Sequence, residues 1–425
     1  DASPKASPDG AASSYAAAIA MSQANRLLDC LDKSLSAWEL TTGDTALHGL
    51  ASQSLLAVVR ALIALGDAPR ALEWLTRESA KLTPRVGPHA PVLVWLGMAE
   101  TLADLGEWPR AAHAAAAALF GTTDSDVTVA ASAVLTDCLL QMGDNDAAAE
   151  MLAVCAQAAS QLGPFWHGTA SAHVAVAERA IDLAQWKVAS QALERAERVS
   201  ATQQHARAHL RCLVARSRLL AVRGDPDAAW SMARRARDEA EHMADPLLAL
   251  HARLLTARLS DQTGTHEPSE RPEDQYALAA LEARLLGDHV LMNRVEEERL
   301  AAGANAVSSV PTVPAVPAVV AALKDGLLAL HEREWAQAQR SFDQASRLAA
   351  TVGGGLAATC RVYTADLLAI TGSPQRAEAE RLLYEARRLF GSEGRHDDVD
   401  DVDIRLHRLS RLASRAIPSP SAAGL

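Results

Sequence analysis

One seven-residue pattern recurs along this chain of 425 residues, and its spacing constrains the fold more than any other feature. The clearest copies are Leu105-Gly-Glu-Trp-Pro-Arg-Ala111 and Leu65-Gly-Asp-Ala-Pro-Arg-Ala71. The glycine, or the residue in its place, stands at positions 66, 106, 143, 184, 224, 333 and 372, so the repeat length is about 40 residues with one long gap. Internal repetition of this length predicts a solenoid, in which each unit packs on its neighbours.

Each repeat is predicted to be a hairpin of two helices. A run of apolar residues spaced by three and four precedes each marker position, and a second run follows it; the first example is Leu55, Val58, Val59 and Leu62. This spacing places the apolar side chains on one buried face of a helix. Glycine at the marker suits the left-handed residue that ends a helix, and the prolines that follow suit the first turn of the next one. The sequence therefore predicts an all-α protein.

The repeats resemble tetratricopeptide repeats. The copy that matches this family best has Gly326, Trp335, Ala338, Phe342 and Ala345 at the family positions. The resemblance implies a right-handed superhelical solenoid of antiparallel helix hairpins, in which small residues let paired helices approach closely. Two features differ from the family pattern: the turn glycine is replaced by Ala184 and Arg333, and the repeats are longer than the usual length of about 34 residues. Longer helices and longer loops between repeats would account for that length.

Five segments are expected along the chain. They are a disordered N-terminal segment (1–14), helical repeats (15–262), degenerate helices with a Pro-rich linker (263–319), further repeats with a C-terminal capping helix (320–416) and a tail (417–425). The prolines of Val310-Pro-Thr-Val-Pro-Ala-Val-Pro317 predict a semi-rigid spacer, and the alternative is a ligand for a proline-reading domain. The chain begins with Asp1, which is consistent with a piece of a longer protein.

Composition excludes several classes of function. The net charge of −11 argues against general binding to nucleic acid or to membrane surfaces and favours a basic protein partner. Five scattered cysteines indicate buried thiols in a reducing compartment. We expect an intracellular protein, cytoplasmic or, in a eukaryote, nuclear.

No arrangement of residues predicts catalysis, and we expect no enzymatic activity, no cofactor and no metal site. Three patterns could indicate an ion or phosphate site, but each has a structural interpretation. The acidic run Asp397–Asp403 could bind calcium but lacks the glycine and glutamate of an EF-hand loop. The pair His205 and His209 has a zinc-ligand spacing but no third ligand. The stretch 353–355 is three glycines, which could receive phosphate, but no lysine and serine follow as in a P-loop.

The resemblance implies that the first helix of each hairpin lines the inner, concave face. Positions six and two residues before the turn marker then become candidate partner contacts. They are Arg60, Glu100, Asp137, Glu178 and Arg218 at the first position, and Asp104, Gln141 and Asp182 at the second. Five of these eight side chains are carboxylates, which predicts an acidic strip that binds a basic helix or an extended peptide. The alternative is that they form solvated helix faces without a partner.

Two functions fit these observations. The first is a non-enzymatic scaffold or adaptor that binds a protein segment along the concave face within a larger complex. The second is the effector-sensing repeat region of a large bacterial LuxR-type transcription regulator, since units such as 206–243 resemble those regions. No nucleotide-binding motif or DNA-reading motif accompanies that resemblance in this chain.

Overall fold

The computed structural model describes residues 8–42, 45–82, 89–164, 166–263, 271–286, 289–301, 315–352, 354–371 and 375–416. Within these ranges the regular structure is entirely helical, as predicted. The chain divides into two compact units, residues 1–313 and 314–425.

The described part of unit 1 contains fifteen α-helices and one short 3-10 helix, Thr45–Leu47. The α-helices are α1 (Pro8–Gln23), α2 (Leu27–Thr41), α3 (His48–Ala64), α4 (Ala68–Leu82), α5 (His89–Asp104), α6 (Trp108–Phe120), α7 (Ser125–Gln141), α8 (Asn145–Gln161), α9 (Thr169–Asp182), α10 (Trp186–Gln203), α11 (Ala206–Val222), α12 (Pro226–His242), α13 (Pro246–Thr263), α14 (Pro272–Leu286) and α15 (His289–Ala301). Unit 2 contains α16 (Ala315–His331), α17 (Trp335–Ala349), α18 (Gly354–Thr371), α19 (Arg376–Ser392) and α20 (His396–Ala416).

Helix boundaries differ from the predicted segments at two places. Helix α1 begins at Pro8, so residues 8–14 are helical where a disordered segment was expected. Proline in the first turn, Asp9 near the helix N-terminus and the alanines that follow all favour a helix start there. Helix α16 begins at Ala315, which places the last residues of the proline-rich stretch in its first turn. Residues 302–314, and the tail expected at 417–425, lie outside the described residues.

Where the structure describes the turn, the marker residue ends the first helix of its hairpin in the left-handed conformation; Gly372, the last marker, lies outside the described residues. Gly66, Gly106, Gly143 and Gly224 have φ between 74° and 84°. In each case the next N–H donates to a carbonyl five residues back, as Asp67 does to Leu62 at 2.9 Å. This is the Schellman arrangement, which satisfies carbonyls that the helix end would otherwise leave free.

Two markers that are not glycine adopt the same conformation. Ala184 has φ 56° and Arg333 has φ 62°, so the repeat geometry overrides the local preference of these side chains. Asn25 has φ 58° and ends α1 with the same hydrogen bond, Arg26 N–H to the Met21 carbonyl. It lies 41 positions before Gly66 and marks a first repeat, α1 with α2, that the glycine pattern did not reveal.

Small residues bring the paired helices together, as predicted from Gly326 and its partners. Ala338, Phe342 and Ala345 are fully buried, and the ring of Phe342 lies against Gly326 so closely that a Cβ there would overlap it. Phe342 also stacks on Tyr363 of α18, with 6.1 Å between ring centroids. Unit 2 is therefore built around the contact between a glycine and an aromatic ring.

Replacing Gly326 with alanine is expected to destabilise unit 2 by about 1–3 kcal/mol, because the new methyl group collides with the Phe342 ring. Gly391→Ala is the matched control, since a Cβ at Gly391 meets nothing within 4 Å. Chemical denaturation followed by circular dichroism measures both. Equal stability of the two variants would contradict this account of the core.

Replacing Ala184 with glycine is expected to stabilise unit 1 by about 1 kcal/mol, because glycine removes the steric cost of a positive φ. The same substitution at Ala153, which is exposed in the middle of α8, should destabilise by about 1 kcal/mol through helix propensity. The opposite signs are measured by thermal denaturation of the two variants.

Candidate partner-binding face

The first helix of each hairpin, its A helix, lies on the inner face of unit 1. Successive A helices contact one another: α3 with α5, α5 with α7, α7 with α9, α9 with α11 and α11 with α13. The second helices pack mainly on the A helices before and after them. Because A helices approach one another more closely than second helices do, the stack curves toward them.

Arg60 of α3 and Glu100 of α5 form a two-point ion pair on this face. Arg60 Nη2 donates to Glu100 Oε1 at 2.7 Å, and Arg60 Nε donates to Oε2 at 3.0 Å. Tyr15 of α1 and Asp126 of α7 lie close enough to act on the Arg60 charge. Four helices therefore contribute polar groups to one cluster at the start of the inner face.

A second set of ion pairs joins α7, α9 and α11. Arg179 pairs with Asp137, and its Nε also donates to the Ala133 carbonyl at 2.9 Å. Arg211 Nη2 donates to Glu178 at 2.5 Å, and Arg218 pairs with Asp182. With the Arg60 pair, these contacts form what we call the ladder: Arg60–Glu100, Arg179–Asp137, Arg211–Glu178 and Arg218–Asp182.

The ladder brings together six of the eight predicted contact residues. The other two, Asp104 and Gln141, are the last residues of α5 and α7, and they lie at the helix ends, Asp104 half-buried and Gln141 exposed. The predicted acidic strip has a different charge pattern in the structure. Each ladder carboxylate is bonded to an arginine of a neighbouring A helix, so the face alternates in sign instead of attracting a purely basic partner.

Sequence reasoning missed Arg179 and Arg211, which supply half of the ladder's positive charges. Arg179 is five residues before its marker and Arg211 is thirteen before its own, so neither occupies the positions used for the prediction. A signal was present, because Arg179 directly follows Glu178, and Arg211 is seven residues, about two helical turns, before Arg218 on the same helix. Pairing across helices, however, depends on the relative rotation of neighbouring repeats, which the sequence does not display.

Burial and pairing compete along the ladder. Burial acts to raise the pKa of Glu178, but Arg211, Arg179 and Arg218 outweigh it and the pKa is lowered. Burial also acts on Asp137, and there it prevails over Arg179, so the pKa is raised. The Asp137 side chain remains 35% accessible to solvent, and the Arg60 side chain remains 42% accessible. The ladder therefore lies on a partly desolvated face whose side chains solvent still reaches.

The alternative sites considered from the sequence are engaged in structural contacts. His205 caps α11, its Nδ1 accepting from Ala208 N–H at 3.3 Å. Within the acidic run, Asp398, Asp401 and Asp403 pair with arginines. The Glu393 carboxylate lies against Gly354 and Gly355 at the N-terminus of α18, where an anion would sit. Among the residues with defined positions, no group of His, Cys, Asp and Glu could hold a metal ion.

All five cysteines are buried and none forms a disulfide, as the scattered spacing predicted. Burial raises the pKa of Cys30 to about 11 and those of Cys138, Cys212 and Cys360 to about 12. These thiols therefore stay protonated and unreactive near neutral pH. In the described part of the chain, no helix is both long and apolar enough to span a membrane.

The opposite pKa shifts predict opposite pH dependences. Glu178 has a lowered pKa, so its contribution to stability is present above the unfolded value of about 4.3 and is lost as the pH falls through the folded value. Asp137 has a raised pKa, so its contribution is lost as the pH rises from the unfolded value of about 3.9 through the folded value. The stability of the wild type relative to Glu178→Gln should rise between about pH 3 and pH 7, and relative to Asp137→Asn it should fall. Urea denaturation across this range measures both slopes, and equal signs would contradict the assignment.

No protein-family profile matches the sequence, and no curated protein matches it. Several solved structures are similar to the chain at TM-scores below 0.5. A Rap protein complexed with competence and sporulation factor has 10% sequence identity and a TM-score of 0.47, over 96% of this chain and 99% of that one. The apo quorum sensor NprR from B. thuringiensis has 13% identity and a TM-score of 0.29, over 75% and 97%.

A third structure is a signal-transduction ATPase with numerous domains and a tetratricopeptide-repeat sensor, from Pyrococcus horikoshii, with 13% identity and a TM-score of 0.38. The match covers 80% of this chain, which spans only 55% of that protein. Similarity at these identities and TM-scores says nothing about the function of this chain. The turns, the paired helices and the small residues between them show that this chain is a solenoid of tetratricopeptide-like repeats.

Proposed function

We propose that the chain is a non-enzymatic interaction scaffold, and that the inner face of unit 1 binds a segment of another protein. The ladder is the observation that supports this proposal. It lines up four ion pairs on successive A helices and leaves their side chains partly accessible. Regularly spaced charged groups on a concave helical face suit recognition of a chain of residues better than chemistry at one point.

The chemistry of the ladder argues for binding over catalysis. Its carboxylates are engaged with arginines of neighbouring helices, and the thiols of unit 1 are buried with raised pKa values. A nucleophile or a general base needs a partly accessible group poised to exchange a proton near neutral pH. The ladder offers paired charges in place of such a group, and Asp137, whose pKa is raised, is itself bonded to Arg179.

The partner that fits is a segment carrying both charge signs. An incoming lysine or arginine can share a ladder carboxylate, and an incoming aspartate or glutamate can share a ladder arginine, so that no charge is left unpaired. A purely basic helix would meet Arg60, Arg179, Arg211 and Arg218 as well as the carboxylates, and like charges oppose binding. We therefore favour an extended, mixed-charge segment over the basic helix expected from composition.

Reversing one ladder pair tests the proposal. The double variant Arg211→Glu with Glu178→Arg keeps the ion pair but inverts its polarity, and it should lower the recovery of the partner at least tenfold because two recognition charges change sign. The matched control reverses an exposed pair on α12, Arg235→Glu with Glu239→Arg, and should leave recovery unchanged. Affinity purification from native extract followed by quantitative mass spectrometry measures both.

Equal recovery with the two reversed pairs would contradict the proposed face. Recovery of no stoichiometric protein, together with a melting-temperature shift on adding a small-molecule fraction, would favour an effector-sensing region of a larger regulator. Under the scaffold proposal the chain is a subunit of a larger assembly.

A further inference from the structure

The first hairpin of unit 1 contacts repeats that are far from it in sequence. The side chain of Gln23, the last residue of α1, donates from Nε2 to the His167 carbonyl at 3.1 Å, across 144 residues. The main chain of Gln23 is also in hydrogen-bond contact with the ring of His205. Asn25, in the turn after α1, directs its Nδ2 toward Met243 Sδ at 3.9 Å, across 218 residues.

These contacts all lie at corresponding positions of the solenoid. His167, His205 and Met243 stand in the connections that lead into α9, α11 and α13, which are three successive A helices. Helix α1 itself packs against α11. The end of α1 is therefore docked on the starting ends of three A helices on the opposite side of the inner face.

A second contact within unit 1 joins the second hairpin to a helix that is far from it in sequence. Leu286, the last residue of α14, lies against the turn of the second hairpin, where a Cβ on Gly66 would come within 3.0 Å of Leu286 Cδ1. The first two hairpins thus contact the repeats around α9 to α14 at separate points. The inner face of unit 1 is consequently enclosed, unlike an open groove.

The ladder lies inside this enclosure. Tyr15, in the middle of α1, faces Arg60 and Asp126, and its own pKa is raised by burial and by Asp126 against the opposing effect of Arg60. Asp137 has its pKa raised by burial although a third of its side chain is accessible. Helices α1, α3, α5, α7, α9 and α11 form a ring in which each contacts the next, so α1 is one wall of the solvent-containing space that the ladder faces.

We propose that α1 is a lid, so that a protein segment reaches the ladder only when α1 releases the repeats opposite. The proposal rests on the inner-face binding function proposed above and adds a regulatory step to it. The closed state shields the ladder from unspecific charged partners. A segment that binds the ladder stabilises the open state by mass action.

The contacts that hold α1 differ from those that hold α2. Within α1 only Ala11 and Ala18 are buried, whereas α2 buries nine residues, among them Trp38, whose Nε1 donates to Glu78 at 2.9 Å. Asn25 is 1% exposed, yet its Oδ1 accepts no hydrogen bond in the closed state. The contacts of α1 with the repeats opposite are the Gln23 and Asn25 side-chain contacts and packing on α11, and breaking them gives this oxygen access to water, so α1 can release those repeats.

A labelling experiment on the full chain tests the lid. The variant Asp137→Cys places a reporter thiol in the ladder, and the five native thiols, all buried, report on integrity by remaining unlabelled. The opening variant adds Gln23→Ala with Asn25→Gly, which removes both docking side chains while keeping a helix former in α1 and a residue suited to φ 58° in the turn. The matched control adds Ser13→Ala on the exposed face of α1.

N-ethylmaleimide should label the reporter at similar rates in both backgrounds, because a small reagent enters the solvent-containing space. A bulky polyethylene-glycol maleimide should label it about tenfold faster in the opening variant, since loss of two docking contacts shifts α1 toward release by that order. Equal rates with the bulky reagent would overturn the lid, and so would failure of the small reagent to label the control.

If labelling of the native thiols shows that the double substitution unfolds the chain, Gln23→Ala alone replaces it and is judged by the same two rates. No partner is present in this assay. If the labelling experiment fails, the lid is refuted, and the affinity experiment still tests the scaffold proposal. If the affinity experiment fails, the scaffold proposal is refuted, and the labelling rates still test the release of α1.

Discussion

The left-handed residue that ends an A helix, at every repeat turn that the structure describes, is the constraint on which the rest of the structure depends. It reverses the chain within a few residues and satisfies the helix-terminal carbonyls, so that the next helix returns along the first at close range. Close pairing then requires small side chains between the helices, which accounts for the fully buried alanines such as Ala189 and Ala196 in unit 1. Where the closest contact falls on a large ring, as at Phe342, the facing residue is Gly326. Because this hairpin repeats along unit 1, each A helix lies beside the next, and the A helices together form a continuous inner face.

The same repetition explains why charged residues can occupy that face. An isolated charge on this face would lose hydration without compensation, and burial would neutralise it. Neighbouring A helices present arginine and carboxylate within hydrogen-bond distance, so each pair compensates the charge that its partner loses to water. The compensation is uneven. Three arginines surround Glu178 and lower its pKa, whereas burial prevails at Asp137. The ladder therefore holds groups of both charge signs at fixed positions. Its carboxylates differ in how strongly their surroundings favour the charged form, which is stabilised at Glu178 and disfavoured at Asp137.

The sequence predicts the features that are local and periodic, such as the turns and the helix hairpins. It does not predict side-chain pairs between repeats, because these depend on how one repeat is rotated relative to the next. Glycine at positions 66, 106, 143 and 224 was sufficient to predict the turns, because a positive φ is a property of a single residue. Asn25 escaped notice since asparagine adopts the same conformation without standing out in a search for glycine. The pairing of Arg179 with Asp137 is a contact between helices 42 residues apart, and the pairing of Glu393 with the α18 N-terminus is a contact between a turn and a helix end. Neither leaves a periodic trace in the sequence.

Closure of unit 1 has a physical consequence for any ligand of its inner face. In an open solenoid, a ligand gains the full interaction with the concave side chains once it arrives. In unit 1, part of that gain is offset by the loss of contacts between α1 and the repeats opposite, so affinity is reduced by the fraction of time the face is closed. The offset stays modest because α1 contacts the repeats opposite through amide groups, a thioether and limited packing on α11. Because these contacts with the repeats opposite are few, α1 is suited to release them without disturbing the turns and pairs of the other repeats.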